Sequence, residues 1–345
     1  MSSEIIQTYY KNGLLESEQF VYSHYVKKIN YYDDGMTKKS EKFYKDNKLH
    51  WDESTPSIEY NLCYSCNGLH PINVKQIREM PAEVSYYKNG KIEYEHFYKN
   101  GKLHNNNDNP AAVLYYTDGI ISYEHFYNDG KLHRDGDKPA VIGYNNNKSL
   151  KFERFYKDDK QHRENNKPSF ISFHDNHEIN TMEFYQNGEL HNNCSESPTC
   201  ISYYNNGMKK EEKFYQNGQH HRDNKPAIIN YYNNDDNTIA SVQFFKDSQL
   251  HRDGNKPAVV SYYENGLINH EIFYKHGKLH NDDDNKPAVL MKHKNNAINY
   301  EMYYKYGKLH RENNKPAIII YNGEISNLVF SEAFYNDGQQ YHGIV

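Results

Sequence analysis

The chain has 345 residues, of which 36% are apolar and 25% charged, with a formal net charge of -5 at pH 7. The apolar share includes 35 tyrosines, so aliphatic mass for a thick, two-layered core is lacking, yet a 15% aromatic fraction does not fit a disordered chain. Mixed charge without a basic patch argues against binding driven by phosphate neutralisation. Four cysteines are no disulfide framework. The residues from Met1 to Tyr10 do not read as a signal peptide, and the most apolar short run, Ala317 to Tyr321, is far too short for a membrane span. A soluble protein of a reducing compartment, not secreted and rich in sheet, is expected.

In chain order, residues 5–22 look like half of a repeating unit and residues 29–50 like a nearly complete one. Residues 51–80 are irregular, retaining only Pro56 to Tyr60 and Asn67 to His70 of the pattern. From residue 81 the repeat becomes regular. YKNGKLH at Tyr98 to His104 returns as YNDGKLH at Tyr127 to His133, YKHGKLH at Tyr274 to His280 and YKYGKLH at Tyr304 to His310. The closing histidine falls at 104, 133, 162, 191, 221, 251, 280 and 310, a period of about 29 residues. A proline at 81, 110, 139, 168, 198, 226, 257, 287 and 316 keeps the same period independently.

Within one unit, Pro257 to Tyr263 alternates as a strand does, and Glu264 to Gly266 is turn chemistry, where Asn and Gly accept a positive φ. Residues 267–274 form a second strand ending in an aromatic pair; a second turn, Leu279-His280 and a polar loop then lead to the next proline. That proline suits the first position of a strand, where its missing donor does least harm. Nine such units fill residues 81–345 after a divergent region and cap over residues 1–80. The expected fold is all-β, an elongated single-domain array of about 11 antiparallel hairpins, some 100 Å long at about 4.8 Å per strand.

The pattern at Tyr86, Tyr87, Asn89, Gly90, Glu95, Phe97, Tyr98, Asn100, Gly101 and Lys102, repeated in later units, resembles the MORN repeat family. The longer period and the added Leu-His and Asn-Lys-Pro segments resemble the divergent repeat proteins of giant amoeba-infecting DNA viruses, with which an AT-rich codon bias agrees. The resemblance implies a twisted sheet or open solenoid serving as a scaffold or binding surface, and no catalytic residues. It also implies host cytoplasm or virion for a viral protein, and otherwise cytoplasm.

Three residue columns look like sites. The histidines could hold a metal or sense pH, but equivalent positions about 9.6 Å apart cannot share a zinc that needs nitrogens at about 2.1 Å. They are expected instead to pack on neighbouring aromatics and bond loop backbone. A glutamate column (Glu18, Glu41, Glu95, Glu124, Glu153, Glu212, Glu271, Glu301, Glu332) repeats in unit after unit, whereas catalysis needs unlike residues converging once. These carboxylates are expected to pair with lysine, histidine or backbone donors of the adjacent unit. Rows such as Tyr86, Tyr115, Tyr203, Tyr231 and Tyr262 could form an aromatic platform, though a thin sheet needs them for its core. Cys63, Cys66 and His70 have ligand-like spacing without a second pair, and Cys194 and Cys200 read as replacements within the repeat.

The expectation is therefore a non-enzymatic scaffold with a protein partner and no nucleic acid. No catalytic, cofactor-binding or metal-binding residue and no cofactor is assigned. Association with a membrane surface and glycan binding through the tyrosine rows are the alternatives.

Overall fold

The computed structural model describes residues 4–22, 24–50, 80–191, 196–216, 218–323 and 328–341. Among them there is no helix, and the strands form antiparallel hairpins. The chain makes two compact units, Met1–Lys160 and Gln161–Val345.

Among its described residues the first unit holds five main hairpins: Glu4–Tyr9 with Leu15–Val21, Tyr25–Tyr31 with Lys38–Lys45, Glu83–Tyr86 with Ile92–His96, Ala112–Tyr115 with Ile121–His125, and Val141–Tyr144 with Leu150–Arg154. Residues 5–22, expected to be half a unit, form a full hairpin. Its second strand turns directly into Tyr25–Tyr31, with no small hairpin between. Strand Lys38–Lys45 pairs directly with Glu83–Tyr86, matching Ser40 with Ser85 and Lys42 with Glu83, so the sheet is continuous between these two hairpins. Pro56 to Tyr60, Cys63, Cys66, Asn67 to His70 and Cys194 lie outside the described residues.

Among its described residues the second unit holds six main hairpins: Phe170–Phe173 with Ile179–Glu183, Cys200–Tyr203 with Lys209–Lys213, Ile228–Tyr231 with Ile239–Gln243, Val259–Tyr262 with Ile268–Ile272, Val289–Lys292 with Ile298–Met302, and Ile318–Tyr321 with Val329–Asn336. Each second strand pairs with the first strand of the next hairpin, as Ile272 with Val289 and His270 with Met291. The eleven hairpins meet the expected number, and nine of them begin after residue 81.

The two turns of a unit differ in kind. In the first, Gly266 has φ 80° and its N–H donates to the Tyr263 carbonyl, while the Leu267 N–H donates to Asn265 Oδ1. Only the glycine is left-handed here. The asparagine acts through its side chain, and a bulge between Ser261 and Tyr262 absorbs the extra residue. The second turn joins Tyr274–Lys275 to Lys278–Leu279 through two residues, and both are left-handed (His276 φ 48°, Gly277 φ 72°). This is the type I′ geometry that matches strand twist. Asp247 and Ser248 reach it without glycine.

Each proline stands two residues before its strand rather than opening it. In between sits Ala258, fully buried, whose N–H donates to Ile272 O and whose carbonyl accepts from Phe244 N. The site has room for little more than a methyl group. Ser169 and Thr199 fill equivalent positions, and their hydroxyls accept from the N–H groups of Tyr185 and Tyr215 at 3.0 Å.

Candidate functional site

Alternation along the strands sorts the side chains onto two faces. One face is covered. In the second unit it gathers Phe214, Ile229, Val242, Phe244 and Val260, all less than a tenth exposed, with Tyr231, Tyr262 and Ile268 packed against them. At the edge of this face the aromatic ring that follows the second strand is covered by the residue after the closing histidine. The Arg252 guanidinium lies 3.6 Å from the Phe244 ring centre and donates to the Pro257 carbonyl at 3.2 Å. Arg311 repeats this on Tyr303 and Pro316. In the first unit Arg134 repeats it on Phe126 and Pro139. Where the residue is Asn, as at Asn105 and Asn281, the amide still donates to the proline carbonyl. The clasp thus couples a cation–π stack to a loop anchor. Sequence reading missed it, although Arg or Asn recurs directly after the histidine in most units.

The histidines join neighbouring hairpins. In the first unit, Nδ1 of His104 accepts from the Asp129 N–H at 3.2 Å and the Leu103 carbonyl from the Gly130 N–H at 2.8 Å, so the next type I′ turn rests on the Leu-His pair. His133 holds Asp158 in the same way. In the second unit, Nδ1 of His162, His251 and His310 accepts from Asn187, His276 and Asp337. An acceptor Nδ1 assigns the proton to Nε2, which faces the side chain two residues on, as His251 faces Asp253 at 2.9 Å. In His251 both ring nitrogens are engaged inside the fold, and the ring is only 6% exposed. His50 belongs to the column too, accepting from the Asn100 N–H at 3.0 Å; its Lys48-Leu49-His50 spelling was the available signal. No group of three or more His, Cys, Asp or Glu among the described residues is placed to hold a metal ion.

The glutamates and tyrosines are the second set of joints. Tyr31 donates to Glu18, Tyr86 to Glu41, Tyr115 to Glu95 and Tyr144 to Glu124, each across to the neighbouring hairpin. In the second unit Tyr231 donates to Glu212 and Tyr321 to Glu301. Tyrosine was absent from the donors expected for these carboxylates, although lysines add to it at Glu41 and Glu212. Burial, then the nearby Glu301 carboxylate, pushes the Tyr321 hydroxyl up to about 12. The next tyrosine of each pair donates to a backbone carbonyl one hairpin on, as Tyr87 to Tyr115 O at 2.7 Å and Tyr263 to Lys292 O at 2.8 Å. These tyrosine hydroxyls are therefore tied into the fold.

The opposite face varies from hairpin to hairpin. Across the second unit its paired positions run Phe170, Glu183, Cys200, Lys213, Ile228, Gln243 and then Val259, Ile272, Val289, Met302, Ile318. Burial raises the Cys200 thiol to about 11, far from a reactive thiolate. A pocket lined by His162, Asn165, Phe184, Gln186 and His191 holds about 40 Å³, far below the ~300 Å³ of small-ligand sites.

No protein-family model and no curated protein sequence matches this chain. No helix of the described residues is long and apolar enough to cross a membrane.

Proposed function

We propose that this protein is a non-enzymatic repeat scaffold that binds a protein partner through the variable face of its hairpin sheet. One observation carries the reading. Residues that recur along the array (histidine, glutamate, tyrosine pair, and an arginine or asparagine clasp) hold the hairpins together, while the opposite face changes along it, from mixed and charged at Glu183 and Lys213 to apolar beyond Val259. A repeat that keeps its joints and varies one face has the form of a surface made for a partner with an equally irregular outline. Columns of identical, internally bonded residues do not make a catalytic constellation, which requires unlike groups converging once. The MORN-like spelling of the units agrees with a scaffold, and with host cytoplasm or virion if the source is viral.

The test is capture of a partner from source-cell extract on immobilised full-length protein, followed by affinity measurement with variants of the variable face. Glu183→Lys with Lys213→Glu should weaken that partner at least tenfold. Charge reversal at Lys88 and Lys294, which lie in the first turns, should leave it unchanged. A partner indifferent to the face, or binding to anionic vesicles at low salt with no protein partner recovered, would overturn the reading.

A further inference from the structure

Most hairpins of the array pair with a neighbour on each side, but among the described residues two strands are paired on one side only. Glu4–Tyr9 pairs with Leu15–Val21, and the Val329 to Ala333 stretch of Val329–Asn336 pairs with Ile318–Tyr321. A repeat array stays soluble by ending on polar caps. These two strands are apolar instead: Ile5 and Tyr9 are 55% and 57% exposed on the one, and Phe330 is 77% exposed on the other, with Ile6 and Val329 exposed beside them. Phe330 takes the place at the bulge that Lys39 and Asn269 hold in their hairpins.

The two open edges complement each other. Within the array a glutamate of one hairpin stands opposite an apolar residue of the next, and the tyrosine two residues on reaches back to it. Glu41 faces Val84 and accepts from Tyr86, and Glu301 faces Ile319 and accepts from Tyr321. Glu332 is the member of this column on the open edge of Val329–Asn336, so among the described residues no following tyrosine reaches it. Tyr9 is the matching tyrosine on the open edge of Glu4–Tyr9, and its hydroxyl turns to Gln7 of its own strand at 2.8 Å. The register of the array sets Ser331 opposite Thr8, Glu332 opposite Gln7 and Ala333 opposite Ile6, with Tyr9 two residues beyond Gln7. The Gln7 amide donates one hydrogen to Glu18 and carries a second for Glu332. Ile5 falls in the place of Ala258, where hairpins linked by a polar loop have room for little more than a methyl group. Where no such loop intervenes, Lys27 fills that place opposite Phe20, and two separate copies have no loop between them. The histidine joint agrees: the Glu4–Val21 hairpin has no small hairpin to rest on a histidine, and Tyr341 stands where the column would put one.

We infer that the chain associates with itself head to tail, the Glu4–Tyr9 edge of one copy pairing antiparallel with the Val329 to Ala333 edge of another and Tyr9 donating to Glu332. An unpaired strand edge is a template for a further strand. Because the interface joins unlike edges, it propagates from copy to copy. It leaves the variable face open, so it does not rest on the partner-binding reading above. The test is sedimentation equilibrium of the full chain from about 1 to about 300 µM, the range of a weak interface. The mass should rise with concentration from 40.9 kDa through twice that value and beyond. Gln7→Pro and Glu332→Pro each remove a donor from one edge, a change that edge strands tolerate. Either variant alone should stay at the mass of one chain. Mixed in equal amounts they should form a dimer and stop there, each supplying the edge that the other lacks, which also shows that both remain folded. Tyr9→Phe should raise the concentration of half-association about tenfold. The proposal is overturned by an unaltered chain that stays monomeric, a proline variant that associates alone as the unaltered chain does, a mixture that stays monomeric, or association indifferent to Tyr9→Phe.

Discussion

Replacing Glu41 by glutamine should cost stability at neutral pH and progressively less in acid. Glu41 accepts from Lys27 at 2.9 Å, Lys38 at 2.8 Å and the Tyr86 hydroxyl at 2.9 Å, and its side chain is only 10% exposed. It therefore ties the second hairpin to the third. Burial alone would raise its pKa, but the hydrogen bonds and charges of Lys38 and Lys27 outweigh it and hold the carboxyl at about 2 rather than 4.5. A folded-state pKa below the unfolded one gives stability that is full above the unfolded value and lost as pH falls through the folded one. The difference corresponds to roughly 3 kcal/mol at pH 7, of which about 2 kcal/mol is gone by pH 3. Because each hairpin leans mainly on its neighbours, the readout should be local: hydrogen exchange of residues 38–45 and 83–86, in both proteins, from pH 7 to pH 3. The gap between unaltered protein and Glu41→Gln should narrow from about 3 to about 1 kcal/mol over that range. A constant gap would mean that the carboxylate's charge contributes nothing, and the account of this joint would be wrong.

The other joints make their own predictions. His251→Ala removes the acceptor of the His276 N–H and should lower local stability by about 1–3 kcal/mol, seen as faster exchange at His276 and Gly277; unchanged protection would refute the joint. Arg252→Lys keeps the charge but loses the planar stack on Phe244 and should cost about 1–2 kcal/mol in urea-induced unfolding followed around that hairpin. Gly143→Val should cost about 1–3 kcal/mol, since even a Cβ there would meet the Phe152 ring at 2.6 Å. The additional change Phe152→Ala should recover part of that loss if the clash is its cause.

Hairpins, their number and their period were legible because strand alternation, turn residues and two anchors each report the same unit. Where the reading fell short, the reason is physical. Residues 5–22 looked like half a unit because the small hairpin and its Leu-His are missing, but the strands need neither. The first turn was expected to place Asn in the left-handed region; the bulge lets Gly266 alone do so, and Asn265 bonds through its side chain. Glutamate's partner was sought among lysine, histidine and backbone donors; lysines do bond Glu41 and Glu212, but the recurring donor, a tyrosine one hairpin on, stood in a column of its own. Alternation separated two faces without telling which was covered, because the cover is made by arginines that look like solvated charge in a polar loop.

The joints also explain how hairpins with so little aliphatic mass hold together. Most hairpins give a neighbour bonds of several kinds: strand pairing, a tyrosine on a carboxylate, a tyrosine on a carbonyl, and a turn resting on a histidine. Most of these reach one repeat along the chain and use atoms of the covered face, the turns or the backbone. Residues on the other face share in these bonds less regularly: Lys42 reaches Glu83 of the next hairpin at 2.8 Å, while Gly143, filled by Phe152, and the His270 pair with Ser261 are local adjustments rather than a common rule. Stability and recognition thus fall to different residues. A substitution that weakens a partner while leaving exchange rates unaltered should map to the variable face, and one that does both should map to a joint.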